Sequence, residues 1–134
     1  MSSQARGSRV VRMLDDAVVE ELERHWEEGW NRGDVDTIMV PFAPDVVFSS
    51  PGISMLTGEP ARTTIEGYDA LRAHIASALR RTSGIGYESH DTYVGTDSIV
   101  LVYACSLPDG TQKPGADLMR VGPGRKVVEW RCHY

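Results

Sequence analysis

The sequence predicts an α+β domain, in which helices in roughly the first 82 residues precede a series of antiparallel strands. Apolar residues recur at helical spacing up to Arg32 and again over residues 68–82. Strand-like segments rich in β-branched residues follow from Tyr87. Turn signals separate these segments, the clearest being Asp109-Gly110. We therefore expect a curved antiparallel sheet with helices packed on one face.

The first helix is predicted from about residue 10 to Arg32. Its apolar stripe comprises Val11, Leu14, Val18, Leu22, Trp26 and Gly29 or Trp30. Gly33 suits the left-handed position after a helix, and Asp34 suits the N-cap of the next one. That second helix is predicted over residues 35–42 and ends before Pro44.

A strand over residues 45–50 follows and ends at Pro51-Gly52. Residues 53–62 are predicted as an irregular loop and residues 63–65 as a short strand. The third helix covers residues 68–82, and its inward face carries Leu71, His74, Ile75, Ala78 and Leu79. Gly84 ends it.

The remaining strands are predicted at residues 87–94, 98–107, 111–121 and 125–134. Residues 99–102 are apolar on both faces of the pleat, so neither face is expected to remain in water. The helices cover one face. We expect a homodimer through the outer face to cover the other.

Length and charge exclude several classes of protein. The chain has 134 residues, which suits one domain, here predicted over residues 10–134 after a flexible tail at residues 1–9. Its net charge of −5 comes without a basic stripe, so we expect neither nucleic-acid nor membrane partners. The start of the chain has no apolar signal-peptide core, and Cys105 and Cys132 lack CxxC spacing. A cytoplasmic location is expected, with both cysteines as small core residues.

Metal and nucleotide motifs are missing. There is no HExxH motif among the four histidines, and Cys132 and His133 are strand neighbours that point to opposite faces. The Gly84-Ile-Gly86 segment lacks the third glycine of a dinucleotide loop. We therefore expect no metal and no cofactor.

Two polar residues on apolar surfaces are the candidate catalytic groups. His74 lies on the inward stripe of the third helix, where it is either a core histidine bonded to a carbonyl or a base lining a pocket. Asp117 lies in a strand beside the apolar 98–107 segment. On the concave face its carboxyl would be desolvated, with a raised pKa that suits proton transfer. The alternative is a solvated Asp117, or one paired with Arg120 or Arg131.

Aromatic residues form the third group, and they either fill the core or line a pocket for a flat or apolar ligand. They are Trp26, Trp30, Tyr103, Trp130 and Tyr134. On the last strand, Glu129, Arg131 and His133 alternate with apolar residues and are expected to face outward or to lie at a subunit contact.

Several segments together resemble the nuclear transport factor 2-like superfamily, in its SnoaL-like and ketosteroid-isomerase-like group. They are Trp30-Asn-Arg-Gly-Asp34, Phe42-Ala-Pro-Asp-Val-Val-Phe48, Ser50-Pro51, Glu66-Gly-Tyr-Asp-Ala-Leu-Arg72 and Gly124-Arg-Lys-Val-Val-Glu-Trp-Arg131. The resemblance covers about residues 12–134. It implies a cone-shaped sheet wrapped around three N-terminal helices, a deep pocket between them and, usually, a dimer. It does not specify a reaction, because one fold hosts many chemistries.

Carried over residue by residue, the resemblance argues against the isomerase mechanism. Trp26 replaces the oxyanion tyrosine of the isomerases and Ser50 replaces their aspartate base, whereas Asp117 matches their second acid. His74 falls where they have a pocket aromatic residue. The SnoaL-like cyclases, which are thought to use an Asp and a His without a cofactor, match better.

The leading hypothesis is a cofactor-independent enzyme acting on a small, apolar or aromatic ligand of carbonyl or polyketide type. Asp117 exchanges a proton with the ligand and His74 assists as base or polarises a carbonyl, with both groups projecting into one cavity. Ser50 or Tyr134 positions the ligand, Trp26, Trp30 and Trp130 form the pocket wall, and Tyr103 is a further ligand-binding residue. The rival hypothesis is a non-catalytic ligand-binding or dimerisation module of the same fold.

Overall fold

The computed structural model describes residues 14–133, without the side chain of Trp26. The predicted tail at residues 1–9 lies outside these residues, as do Val11 of the apolar stripe and Tyr134 of the candidate pocket. The helices are α1 (Asp16–Arg24), α2 (Val35–Met39), α3 (Gly52–Thr57) and α4 (Tyr68–Arg81). The strands are β1 (Phe42–Ser49), β2 (Thr64–Glu66), β3 (Gly86–Val94), β4 (Ser98–Ser106), β5 (Gln112–Val121) and β6 (Val127–His133).

The six strands form one curved, unclosed sheet in the order β2-β1-β6-β5-β4-β3. The predicted α+β class is confirmed, and so is the meander from β3 to β6. The sheet is not wholly antiparallel, because β1 and β6 are parallel neighbours, with Phe48 opposite Trp130. The chain leaves β1, builds the rest of the sheet and returns through β6, and this long crossover permits the parallel pairing.

The helix α3 lies where a loop was predicted over residues 53–62, so that prediction is wrong for the first five of these residues. The Oγ atom of Ser50 accepts the N–H of Gly52 at 3.1 Å and supports the first turn. Gly58, with φ of +75°, ends the helix in the left-handed region. Ile53 is fully buried, so packing against the core stabilises a helix that is too short to form alone.

The first helix changes its winding after Arg24. A π-helical turn over His25–Trp30 follows α1 directly. Such turns occur as insertions inside α-helices, and they shift the register of the buried face. The predicted stripe holds for Val18 and Leu22, but His25 is the next residue buried, with 1% of its surface exposed.

The core lies between the helices and the concave face of the sheet. Along β4 alternate side chains point into it, as Ile99, Leu101 and Tyr103 are each at most 3% exposed. Trp130 of β6 is among the largest fully buried side chains. Its ring stacks on Phe42, with centroids 5.1 Å apart, and also contacts Phe48, at 4.3 Å. On the outward face of β6, Arg131 and His133 are exposed, as the alternation predicted.

The close approach of the π-helical turn to α2 depends on Gly29. A Cβ atom at this position would lie 2.7 Å from Cγ1 and 3.2 Å from Cα of Ile38. We predict that Gly29→Ala lowers the free energy of unfolding by about 1–3 kcal/mol, since Ile38 is fully buried and the added carbon meets its backbone as well as its side chain. Urea unfolding measures the change. Gly124→Ala is the matched control because nothing lies within 4 Å of its Cβ position, and an equal loss in both variants would contradict the packing argument.

Candidate functional site

Asp117 is a fully buried carboxyl in the middle of β5. The hydroxyl of Tyr103 donates to its Oδ1 at 2.9 Å, and the indole Nε1–H of Trp130 donates to its Oδ2 at 2.9 Å. The thiol of Cys132 donates a further hydrogen bond to the carboxyl. We call these four residues the Asp117 cluster. The alternative pairing of Asp117 with Arg120 or Arg131 is wrong, because both arginines bind Glu129 instead.

Strand register brings the cluster together. Asp117 lies directly opposite Cys132 on β6 and opposite Leu101 on β4. Tyr103 is two residues further along β4 than Leu101, so its side chain leaves the same face of the sheet. Trp130 precedes Cys132 by two residues on β6 and shares that face for the same reason. The donors therefore converge on the carboxyl from the two neighbouring strands.

Gly115, which has no side chain, leaves the space that the Tyr103 ring occupies. The two residues are cross-strand partners, and a Cβ at position 115 would lie 2.6 Å from ring carbons of Tyr103 and 2.7 Å from its hydroxyl oxygen. The ring thus lies over the bare backbone of the glycine and points its hydroxyl at Asp117.

We predict that Gly115→Ala breaks the hydrogen bond between Tyr103 and Asp117. The added methyl group displaces the ring, and the carboxyl loses one of its donors, which costs about 1–3 kcal/mol of unfolding free energy. Urea unfolding and the near-ultraviolet circular dichroism of the tyrosine report the change. Gly86→Ala is the control, since its Cβ position has ordinary contact at 4.0 Å. An unchanged tyrosine signal in Gly115→Ala would contradict the prediction.

Burial raises the pKa of Asp117 to about 6, although the hydrogen bonds from Trp130, Tyr103 and Cys132 each favour the ionised form. Removing a carboxylate from water costs more free energy than these bonds return. Burial also raises the pKa values of Tyr103 and Cys132, and the nearby Asp117 charge adds to both shifts. Asp117 is therefore the member of the cluster that changes its charge near neutral pH.

A cavity of about 410 Å³ lies between α3, α4 and the concave face of the sheet. We call it the inner cavity. Its lining is mostly apolar, with Trp30, Phe48, Ile75, Ala78 and Leu56 among its residues. The polar or charged lining residues include Ser50, His74 and Lys113. An apolar cavity with a few polar groups is typical of a small-molecule site.

The Asp117 cluster forms part of the wall of the inner cavity. Tyr103, Trp130 and Cys132 line the cavity, whereas the carboxyl of Asp117 lies behind them and is not exposed. Cys105 lines it as well. The two cysteines are free thiols that are partly buried and packed against the hydrophobic core, as predicted, and both also line the cavity.

His74 reaches the inner cavity from α4 and is half-buried. Its ring lies beside Phe48, with centroids 5.7 Å apart. Burial lowers the pKa of His74, and the positive charge of Arg62 lowers it further. The imidazole is therefore neutral near pH 7, and it presents both a donor and an acceptor to the cavity.

The structure brings most of the predicted site residues to one place. Trp30, Ser50, His74, Tyr103 and Trp130 all line the inner cavity. Asp117 and His74 do not project into it side by side as expected, because the rings of Tyr103 and Trp130 cover the carboxyl. Within residues 14–133 no hydrogen bond joins the two groups. Trp26 and Tyr134 were also predicted as pocket residues, but the side chain of Trp26 and the whole of Tyr134 lie outside the described part of the structure.

His25 is a buried site residue that the sequence reasoning missed. Its Nδ1–H donates to the carbonyl of Ile38 at 2.9 Å, and its Nε2 accepts the indole N–H of Trp30 at 2.9 Å. Burial lowers the pKa of His25 to about 4. The neutral imidazole thus fixes the position of Trp30 in the cavity wall. A signal was available, since His25 follows buried Leu22 by three residues on the helix.

Among the described residues, no group of three or more His, Cys, Asp or Glu side chains is arranged to hold a metal ion. Within the same part of the chain, no helix combines the length and the apolar composition needed to cross a membrane.

The model of the SnoaL-like domain family matches residues 22–130. A SnoaL-like protein of unknown function from Burkholderia thailandensis is 28% identical, with a TM-score of 0.78 over 92% of this chain and 98% of that one. A search of curated proteins finds no match.

Two more distant structures share the fold. A nuclear transport factor 2-like protein of unknown function from Burkholderia pseudomallei is 18% identical, with a TM-score of 0.72 over 90% of this chain and 92% of that one. A Mycobacterium tuberculosis protein, solved in complex with estradiol-17β-hemisuccinate, is 16% identical, with a TM-score of 0.69 over 90% of this chain and 95% of that one.

Proposed function

Because the chain belongs to the SnoaL-like family, we propose that it binds a small, largely apolar molecule in the inner cavity and acts on it as a cofactor-independent acid–base enzyme. The observation that carries this proposal is the Asp117 cluster, a buried carboxyl with a pKa of about 6 behind the wall of an apolar cavity. A group that titrates this close to neutrality both accepts and returns a proton at low cost.

The ligand class follows from the lining. Aromatic and aliphatic side chains favour a ring system or a compact apolar chain, and the few polar groups favour one carbonyl or hydroxyl group on it. The Mycobacterium tuberculosis neighbour holds a steroid ester, which supports an apolar ring ligand for this fold. Ketones of polyketide type satisfy both requirements.

The proton path runs through Tyr103, because Asp117 has no surface on the cavity. The Tyr103 hydroxyl accepts a proton from the carbon beside the ligand carbonyl while it passes its own proton to the Asp117 carboxylate. The electron pair of the broken C–H bond moves to the carbonyl oxygen as an enolate. The reverse transfer returns the proton to the same carbon or to another one. This proton transfer needs no oxidant and no cofactor.

His74 polarises the ligand carbonyl in this proposal. Since its pKa is lowered, the imidazole is neutral and donates an N–H to the developing oxyanion. Ser50 is buried at the cavity wall and binds the backbone N–H of Gly52, which fixes the end of α3 beside the ligand.

Cavity occupancy is tested with naphthylbutanol, an uncharged fluorescent probe. Ala78→Phe places a ring in the inner cavity, whereas Ala73→Phe places the same ring on the exposed face of α4. We expect the first variant to weaken probe binding at least about tenfold, which is about 1.4 kcal/mol, and the second to leave it unchanged. Failure of the unmodified protein to bind the probe, or equal binding by both variants, would refute the proposed site.

A non-catalytic binding protein is the second candidate, and the sealing of Asp117 favours it. Both carboxyl oxygens already accept hydrogen bonds, which suits a residue that only stiffens the cavity wall. The two candidates differ in turnover. The enzyme exchanges the acidic C–H protons of β-tetralone, a bicyclic ketone, with D₂O faster than buffer does, and the binding protein does not.

A homodimer through the outer face of the sheet is proposed in addition. Val100 and Val102 of β4 are partly exposed there and alternate with the inward Ile99, Leu101 and Tyr103. Burying this face on a second copy would remove apolar surface from water. Analytical ultracentrifugation of the unmodified protein and of Val100→Lys/Val102→Lys tests the dimer. A monomeric unmodified protein would contradict it.

We also propose that the protein is located in the reducing cytoplasm. The free thiols of Cys105 and Cys132 support it. Microscopy of a fluorescent fusion in the native cell tests it, and export of the fusion would overturn it.

A further inference from the structure

A second cavity, of about 460 Å³, lies where the π-helical turn, the end of α4 and the start of β3 meet. We call it the arginine cavity. Its lining residues run from Trp30 to Gly33 on one side and from Thr82 to Ile85 on another, and they include Arg32, Arg80 and Tyr87. Neither of the two proposed functions involves this cavity.

One layer of side chains separates the arginine cavity from the inner cavity. Four residues line both spaces, namely Trp30, Thr82, Ile85 and Tyr87. We call them the partition. The rings of Trp30 and Tyr87 lie with centroids 5.7 Å apart, and His25 holds the indole of Trp30 in place. A ligand longer than the inner cavity therefore has to displace one layer of side chains to reach the second space, at Thr82, Ile85 or Tyr87 rather than at Trp30.

The arginine cavity is cationic in an acidic protein. Arg32 and Arg80 line it and no aspartate or glutamate does, although the chain carries a net charge of −5. Within the described residues neither arginine forms a salt bridge. Arg32 lies near the carboxylate of Asp34, which caps α2 and accepts a hydrogen bond from the Thr37 hydroxyl at 2.8 Å, but the two side chains form no salt bridge in the described part of the chain. Both arginines are exposed at the cavity, so their two guanidinium groups can bind an anion there.

We propose that the arginine cavity is an anion subsite of the inner cavity, so that the ligand is an apolar molecule with a carboxylate arm. This inference rests on the proposed binding of an apolar ligand in the inner cavity. The ring system occupies that cavity, the arm crosses the partition, and Arg32 and Arg80 bind the carboxylate. Guanidinium groups suit this role because they offer paired donors and stay charged at all relevant pH values.

The test compares two probes that share one ring system, naphthylbutanoate and naphthylbutanol. At low ionic strength we expect the unmodified protein to bind the carboxylate about tenfold more tightly than the alcohol, as charge-assisted hydrogen bonds predict. Arg32→Gln/Arg80→Gln should reduce this ratio to about one and leave the affinity for naphthylbutanol unchanged. Arg81→Gln is the matched control, since Arg81 lies in the same helical turn but not in the cavity lining.

The outcomes separate this inference from the proposed function. If naphthylbutanol does not bind, the proposed function fails and the subsite fails with it. If both probes bind equally well, or if the double variant keeps the preference for the carboxylate, the subsite alone is wrong. Lys113→Gln tests whether the carboxylate binds instead to Lys113, the lysine that lines the inner cavity. Loss of the preference in that variant, and not in the arginine variant, would also overturn the inference.

Discussion

Replacing Asp117 with asparagine should slow the exchange of β-tetralone protons by about 10²–10⁴-fold, the usual contribution of a general acid or base. The asparagine keeps the shape of the side chain and still accepts a hydrogen bond from Trp130, but it does not take up a proton. Deuterium incorporation followed by proton NMR measures the rate above that of buffer. Binding of naphthylbutanol should persist, which separates loss of chemistry from loss of the site.

The same substitution should stabilise the protein at alkaline pH. The pKa of Asp117 is raised in the folded state from 3.8 to about 6, so the folded protein favours the neutral carboxyl. Between about pH 4 and pH 6 the folded state binds more protons than the unfolded state, and stability falls as pH rises. The full penalty is about 3 kcal/mol above pH 6. Asp117→Asn carries no such penalty, because its amide does not ionise. Any weakening of the hydrogen bonds from the cluster would reduce the gain in stability.

Two results would contradict this account of Asp117. One is exchange of β-tetralone by Asp117→Asn at the rate of the unmodified protein. The other is a stability difference between the two proteins that does not change with pH. Tyr103→Phe is the companion variant, since it removes the proposed relay hydroxyl and leaves the carboxyl in place. It should lose exchange activity as well.

Replacing His25 with leucine should lower the free energy of unfolding by roughly 2–5 kcal/mol at pH 7, since it deprives the buried carbonyl of Ile38 and the partly buried indole N–H of Trp30 of this partner. Urea unfolding measures the loss. His25→Gln is the matched control, because its amide offers one donor and one acceptor and should recover part of the stability. Equal stability of the leucine variant and the unmodified protein would show that these hydrogen bonds contribute little.

His25 also predicts a dependence on pH opposite in sign to that of Asp117. Its pKa falls from 6.5 to about 4 on folding, so the unfolded state binds more protons between these values. Stability therefore rises with pH over this window, by about 3 kcal/mol in all. In the unmodified protein the two effects nearly cancel between about pH 4 and pH 6. In Asp117→Asn the free energy of unfolding should therefore rise with pH across this range, and in His25→Gln it should fall. Urea unfolding at several pH values measures both trends.

The sequence predicted the class of fold because its signals are local. Helical spacing, β-branched segments and the Asp109-Gly110 turn each depend on a few neighbouring residues. The parallel pairing of β1 with β6 was missed, since it joins residues far apart in the chain. The π-helical turn was missed for another reason: α and π winding share the same apolar pattern until the register shifts.

The site was predicted in part. The apolar neighbours of Asp117 on its own strand and on β4 indicated burial and a raised pKa, and the structure agrees. Its position behind the cavity wall depends on register, which aligns it with Cys132, and on Gly115, which admits the Tyr103 ring. The arginine cavity was not foreseen, because Arg32 and Arg80 lie on separate helical segments and meet only in the folded chain.

The most direct test follows the carboxyl carbon of Asp117 by NMR in ¹³C-labelled protein, with the resonance assigned by its absence in Asp117→Asn. We predict titration with a pKa of about 6, and a shift of this resonance when naphthylbutanol fills the inner cavity. A carboxyl that titrates near its ordinary value of 3.8 and does not respond to bound probe would contradict the account.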